Sequence, residues 1–227
     1  MAFKRKLIAA FLTAALFTGV LPTGVSAQVK NNTQTKIQFA DGVTKEQVPD
    51  YIINDLINSN PDADCITIYG ISESEDTTPP KINVNGWDEY LDIKTTKQVT
   101  KRNVIAKDIC QFTVAKGETL TLSRTYSESY TSYYSGDIFD SAKLGIGKTV
   151  TGTYYESHSY KGPGESSRYN SREFRTRFYE NVGTYKQTAH VYENWGKGVV
   201  EDKGIETKTG SFHQATRSVN YSKDILV

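Results

Sequence analysis

From Thr119 to Thr131 the sequence reads TLTLSRTYSESYT and alternates with unusual regularity. Thr119, Thr121, Ser123, Thr125, Ser127, Ser129 and Thr131 share one parity, and each is a small hydroxyl residue. Leu120, Leu122, Arg124, Tyr126, Glu128 and Tyr130 share the other. In a strand these are opposite faces. The pattern returns in TVTGTYYESHSY, where Thr149, Thr151, Thr153, Tyr155, Ser157 and Ser159 oppose Val150, Gly152, Tyr154, Glu156, His158 and Tyr160. Two hydroxyl-faced strands therefore flank a central segment, Ser135 to Lys148. Within it Ile138, Ala142, Leu144 and Ile146 share a register interrupted by Asp140. Faces of this kind are soluble, suit the pleat and resist edge-to-edge aggregation, so solubility alone explains them.

Composition points to the same class. The chain is rich in Tyr, Thr and Ser and holds a single Met, the profile of half-wet strands over thin cores. The expected fold is mainly β: an elongated antiparallel sheet or sandwich with a small N-terminal helix-strand element. Lys4, Arg5 and Lys6 precede an apolar run and a small-residue site at Val25-Ser26-Ala27, a secretory signal with the cut after Ala27. The run of about 15 apolar residues falls short of the ~20 that span a bilayer as a helix. The protein is read as secreted, with a leaning toward a Gram-positive source. Beyond the signal, 24 basic residues face 26 acidic ones, a balance with no general pull toward nucleic acid.

Four segments follow. Residues 1–27 are the signal, 28–40 a polar flexible lead-in, 41–111 a small α/β element and 112–227 an antiparallel β domain. Thr44 with Gln47 fits a capping box, or Pro49 sits at a first helical turn, and Tyr51, Ile52, Ile53, Leu56 and Ile57 form an apolar stripe at helical spacing. Pro61 and its Asn/Asp neighbours end that helix, and CITIYGI from Cys65 reads as a strand. Further strands are expected at 81–93, 99–117, 118–134, 148–160, 172–179, 184–195, 198–209 and 211–221, with ENWGKG suited to a hairpin. Outside the cell two cysteines suggest a bridge between Cys65 and Cys110, the alternative being two free thiols.

The Ser/Thr-rich strands around a short amphipathic segment resemble the aerolysin-like family of β-pore-forming toxins over roughly residues 112–195. The second half also resembles small Gram-positive exported proteins, which adds no mechanism. The first resemblance implies that residues 135–148 form an insertion hairpin, with Ile138, Ala142, Leu144 and Ile146 toward lipid, and that copies join in a barrel. Alternation has a physical reason there, because a barrel lumen is wet and its outside lipidic. Asp140, Lys143, Gly145 and Gly147 depart from such a hairpin, and 14 residues are too few for two spanning strands.

No catalytic motif emerges. AKLGIGKT fits a relaxed P-loop pattern, but VTGTYY after it is a strand where a phosphate site needs a helix N-terminus. His158, His190 and His213 have no metal-ligand spacing, Ser166 has no recognisable base, and the carboxylates near 62–64 and 73–76 suit turns. No cofactor, metal or catalytic residue is assigned. The strongest binding feature is SRYNSREFRTRFY, where Arg168, Arg172, Arg175 and Arg177 interleave with Tyr169 and Tyr179. Arginine forks with aromatic planes can grip anionic glycans or headgroups, whereas an ordinary amphipathic strand has the same pattern. The leading expectation is a non-catalytic secreted protein that binds an extracellular surface, glycan, wall component or partner. The alternative is the pore former, which alone calls for a membrane and an oligomer; an enzyme using dispersed carboxylates is the weakest.

Overall fold

Three strands of exceptional length make the frame of the protein in the computed structural model, which describes residues 35–76, 88–145, 147–196 and 199–226. The expected signal at 1–27, most of the lead-in, residues 81–87 and Ile146 lie outside the described residues. In chain order the elements are β1 (Lys36–Phe39), α1 (Asp50–Ser59), β2 (Cys65–Glu73), β3 (Glu75–Asp76), β4 (Asp88–Ala115) and β5 (Thr119–Thr121). Then come β6 (Tyr126–Thr131), β7 (Tyr133–Gly136), α2 (Ser141–Leu144), β8 (Lys148–Tyr154), β9 (Ser159–Lys161), β10 (Ser171–Gly196) and β11 (Val199–Ile225). The chain is mainly β, as its composition indicates.

The main sheet runs β1-β2-β11-β10-β4, with β7 joining the free edge of β11. Among the described strands only β1 and β2 pair in parallel. The central strand β10 is paired on both sides along its length, with β11 on one edge and β4 on the other. Its 26 residues form an arm roughly 85 Å long at the usual rise of a strand. The separate strands expected from 172 onward merge into β10 and β11, and those expected at 81–93 and 99–117 merge into β4. Gly183 does not break β10: a Cβ there would lie 2.3 Å from the Gln98 carbonyl oxygen and 2.6 Å from the Phe212 ring. It marks a close approach rather than a turn. Register shifts around Tyr179–Gly183 swap the parity of β10. The face carrying Phe174, Thr176 and Phe178 therefore continues through Tyr185, Gln187, Ala189 and Val191. On β4, Asp92 and Asn103 take positive φ (52° each), a conformation their side chains tolerate.

The base of the arm is covered on both faces. The apolar stripe of α1 buries Ile52 and Leu56 against Ile66, Ile68, Tyr179, Val219 and Tyr221. Half-buried Ile37 and Phe39 pack on the same cluster, which is why residues 36–39 form strand β1 rather than flexible lead-in. The opposite face carries the β6–β8 pair, whose Val150 meets Phe178 and Ala215 and whose Tyr154 meets Phe174 and Tyr160. Gly152 allows this layer to close down, since a Cβ there would lie 2.3 Å from Thr176 Cγ2. The proposed boundary at 111/112 falls inside β4, and residues 34–227 form one compact unit.

The expected disulfide is corrected. Cys65 and Cys110 are both free, the first half-buried and the second exposed. Cys65 starts β2 and Cys110 sits on β4, with β11 and β10 between them. Three inter-strand spacings separate the two lines by roughly 14 Å, twice the Cα reach of a disulfide. Burial pushes the Cys65 thiol up, so it reacts slowly. Protein purified without reductant should show two alkylatable thiols by mass spectrometry, Cys110 reacting first; a mass two protons lighter, with no alkylation, would contradict this arrangement.

Candidate functional site

The Arg/Tyr strand faces inward. Arg175, Arg177 and Tyr179 lie on the α1 side of β10. Arg177, only 4 % exposed, reaches Asp55 (2.6 Å), Asp108 (2.6 Å), the Ser59 hydroxyl and the Tyr221 hydroxyl. Arg175 pairs with Asp108 (2.9 Å) and Glu173 (2.8 Å), and the Tyr179 hydroxyl donates to Asp55. Arg172 makes a two-pronged pair with Asp224, at 2.5 and 3.1 Å. Arg168, at the edge, bonds Asp64 (2.5 Å) and the hydroxyl of buried Tyr169. The cluster is real but its guanidinium groups are occupied by the protein's own carboxylates. It clamps α1 and the chain end to the sheet.

The hydroxyl face is built largely as its alternation indicates. β6 and β8 are antiparallel, and their outer face is a ladder of paired hydroxyls: Ser127 with Thr153 (3.2 Å), Ser129 with Thr151 (2.8 Å) and Thr131 with Thr149 (3.0 Å). Thr119 and Thr121 pair with β9, Thr121 meeting Ser159 at 2.8 Å. Ser123 and Thr125 fall in the bend between β5 and β6. The inner face carries Tyr126, Tyr130, Val150, Gly152 and Tyr154 against the sheet.

Between these strands the chain crosses the sheet as a strap, residues 133–145. β7 pairs with Phe212 and its neighbours on β11; then the chain passes over β10 toward β4 and makes one helical turn at α2. The expected hairpin over 135–148 is absent from this form. Ile138 and Leu144 are buried against Tyr185 and Phe212, Ala142 is exposed, and Ile146 lies outside the described residues. Asp140, which interrupts the apolar register, caps α2 by accepting from the Ala142 and Lys143 backbone.

Past β7, sheet side chains hold the strap's backbone. The fully buried Gln187 amide accepts from Phe139 N (2.8 Å) and Asp140 N (3.2 Å) and donates to Asp140 O (2.8 Å). The Tyr185 hydroxyl lies 3.1 Å from Asp137 O, Lys208 donates to Ile138 O, Lys97 to Leu144 O, and Gln214 to Gly145 O. The strap's entry is pinned at buried Glu180, which accepts from the Tyr130 hydroxyl and bonds His213 Nδ1 at 2.9 Å; the His213 ring stacks on Tyr133. Burial, reinforced by Glu180, pushes the Tyr130 phenol far above its ordinary range, so it stays a donor. Sequence reading passed over these residues. One signal was present: Gln187 is the polar member of a parity otherwise occupied by Tyr185, Ala189 and Val191.

No family model matches the sequence, and neither a curated protein nor a solved structure matches the chain.

Two expectations follow from this geometry. Burial opposes ionisation of Asp108, but Arg177, the Tyr221 hydroxyl and Arg175 outweigh it and hold its carboxyl below the usual range. The stabilisation is present above the unfolded-state value near 4 and lost as pH falls through the lowered one. Asp108→Asn should therefore cost about 3 kcal/mol at pH 7 and flatten the acid-side loss, read by urea denaturation from pH 7 to 3. Gln187→Leu strands buried backbone groups of the strap, each worth about 1–3 kcal/mol. Hydrogen exchange over residues 137–145 should quicken at least about tenfold while β10 and β4 stay protected.

Proposed function

We propose that the protein acts on membranes as a β-pore former, with the strap and its flanking strands β6 and β8 opening into an amphipathic hairpin. The observation that carries the reading is the strap itself: a segment laid across a long three-stranded arm and, past β7, gripped by side chains instead of a backbone ladder. Releasing it trades side-chain bonds and two small apolar clusters for new strand pairing. Residues 126–136 and 144–154 are each eleven long, the length of a tilted spanning strand. Extended, they would place Ser127, Ser129, Thr131, Thr149, Thr151 and Thr153 toward a wet lumen. Tyr126, Tyr130, Tyr134, Leu144, Val150 and Tyr154 would face lipid. Two charges share that face: Glu128, third from an arm's end, would lie near the interface at roughly 0–1 kcal/mol, and Lys148, next to the middle of the other arm, would cost ~2–4 kcal/mol that closure of the barrel must offset. Among the described residues no helix is long and apolar enough to cross a membrane, so a crossing by them falls to strands. Unpaired strand edges are untenable in hydrocarbon, so several copies must close the barrel.

The surface-binding alternative relied on the Arg/Tyr strand, and the pairing of those arginines with Asp55, Asp64, Asp108 and Asp224 weighs against it. The test exploits Ser135 and Ser211, register partners whose hydroxyls lie 2.7 Å apart. In a Cys65→Ser/Cys110→Ser background, Ser135→Cys with Ser211→Cys ties β7 to β11. The oxidised protein should release no calcein from lipid vesicles, and dithiothreitol should restore release. Equal leakage in both states, or none from the reduced protein over neutral and anionic vesicles, would count against the reading.

A further inference from the structure

The far end of the arm, away from α1 and the paired arginines, is apolar. Gly196 pairs with Val199 to close the β10–β11 hairpin, and a register shift between Asn194 and Gly196 leaves Trp195 as the extra residue. Trp195 is 62 % exposed, and Val199 and Val200 are more than half exposed. Leu91 and Ile205 flank His190 in register one step back, Ile205 at 76 % exposure. Half of the exposed large apolar residues among those described gather at this one end. Among the described residues the neighbouring charges are predominantly acidic, Asp88, Glu89, Asp92, Glu193, Glu201, Asp202 and Glu206 against Lys94, Lys203 and Lys208, and the sequence adds Lys197 after Gly196. Lys203 is taken up by Glu193 and Glu201 (2.9 Å each), Lys208 lies over Tyr90 and Phe139, and His190 bonds Asp202 (2.7 Å). The Trp195 indole N–H is 3.4 Å from Glu201, leaving the ring faces open.

We propose that this tip is a lipid anchor for phosphatidylcholine bilayers. It rests on the membrane reading above and names its partner. Trp195, Val199 and Val200 enter the boundary between headgroups and acyl chains, the layer where amphipathic aromatic side chains settle. The hairpin ladder runs as far as Gly196 and Val199, so the strand ends that enter the boundary are paired with each other. The rim selects the lipid. An acidic collar beside the exposed faces of Trp195 suits the quaternary ammonium of choline and is repelled by an anionic surface. Docked tip-first, the protein holds its strap, over residues 185–191 of β10, roughly 15–30 Å from the membrane surface.

The chain has two tryptophans, so full-length Trp87→Phe protein reports Trp195 alone. With phosphatidylcholine vesicles its emission should shift to the blue and be quenched by brominated acyl chains. Val199→Asp/Val200→Asp, a change at exposed positions that leaves the core untouched, should weaken co-sedimentation at least about tenfold. Phosphatidylglycerol vesicles should bind less well at low salt. The inference is overturned if the double variant sediments unchanged, if anionic vesicles bind better, or if the blue shift appears without lipid as protein concentration rises, which would give the tip to a second copy. The oxidised Ser135→Cys/Ser211→Cys protein separates this from pore formation. It should bind fully while releasing no dye. Binding without leakage from any form sinks the pore and leaves the anchor, whereas leakage independent of Trp195 insertion sinks the anchor and leaves the pore.

Discussion

A strand bonded on both edges has only its two faces left to satisfy, and β10 is in that position over nearly its whole length. Its ladders with β11 and β4 settle the backbone from Ser171 to Glu193, and β11 alone continues to Gly196. What varies along the arm is the cover. At the base both faces are closed, one by α1 with its aspartate-bound arginines and the other by β6 and β8. Farther out one face is under the strap and the other, with Thr96, Gln98, Thr184, Lys186, Thr207 and Thr209, stands open.

The covers differ in kind. α1 is held by burial of Ile52 and Leu56 and by ion pairs shielded from water, in which removing one partner strands a charge. The strap is held by small apolar clusters and by amide, hydroxyl and ammonium groups reaching its backbone. Such bonds contribute modestly when made and cost more when left unmade inside the protein. Out in solvent, or paired in a new ladder, the strap's backbone loses that penalty. The same contacts that seat the segment thus leave it with a low-cost exit. The clamp at Glu180 joins the two regimes, since it ties Tyr130 of the covering layer and His213 of the arm at the point where the strap begins.

The Arg/Tyr strand shows how a correct pattern acquires a different role in three dimensions. Alternation placed Arg175 and Arg177 together and opposite Phe174 and Phe178, and they are so placed. Whether they met solvent or helix depended on α1 crossing that face, and the carboxylates they meet, Asp55 and Asp108, lie 122 and 69 positions away from Arg177. The disulfide failed for a related reason. Two cysteines 45 positions apart look easily joined, but their strands are second and fifth in the sheet order.

The sequence by itself determined the strand-rich class, the helix before Pro61, the turn after Glu193 and the hydroxyl face of β6 and β8. All of these rest on local periodicity or on residues with restricted backbones, which act over a few neighbours. Only the tertiary structure decided that six of the expected strands merge into three long ones and that residues 137–144 cross the sheet instead of forming a hairpin. The same holds for Gln187, Tyr185, Lys97 and Lys208 as the strap's holders. The reason is that a long strand is stabilised by its partners more than by its own residues, so glycines that read as breaks become points of close packing once neighbours continue the ladder. A side chain that bonds a distant backbone, likewise, has no local pattern to show it.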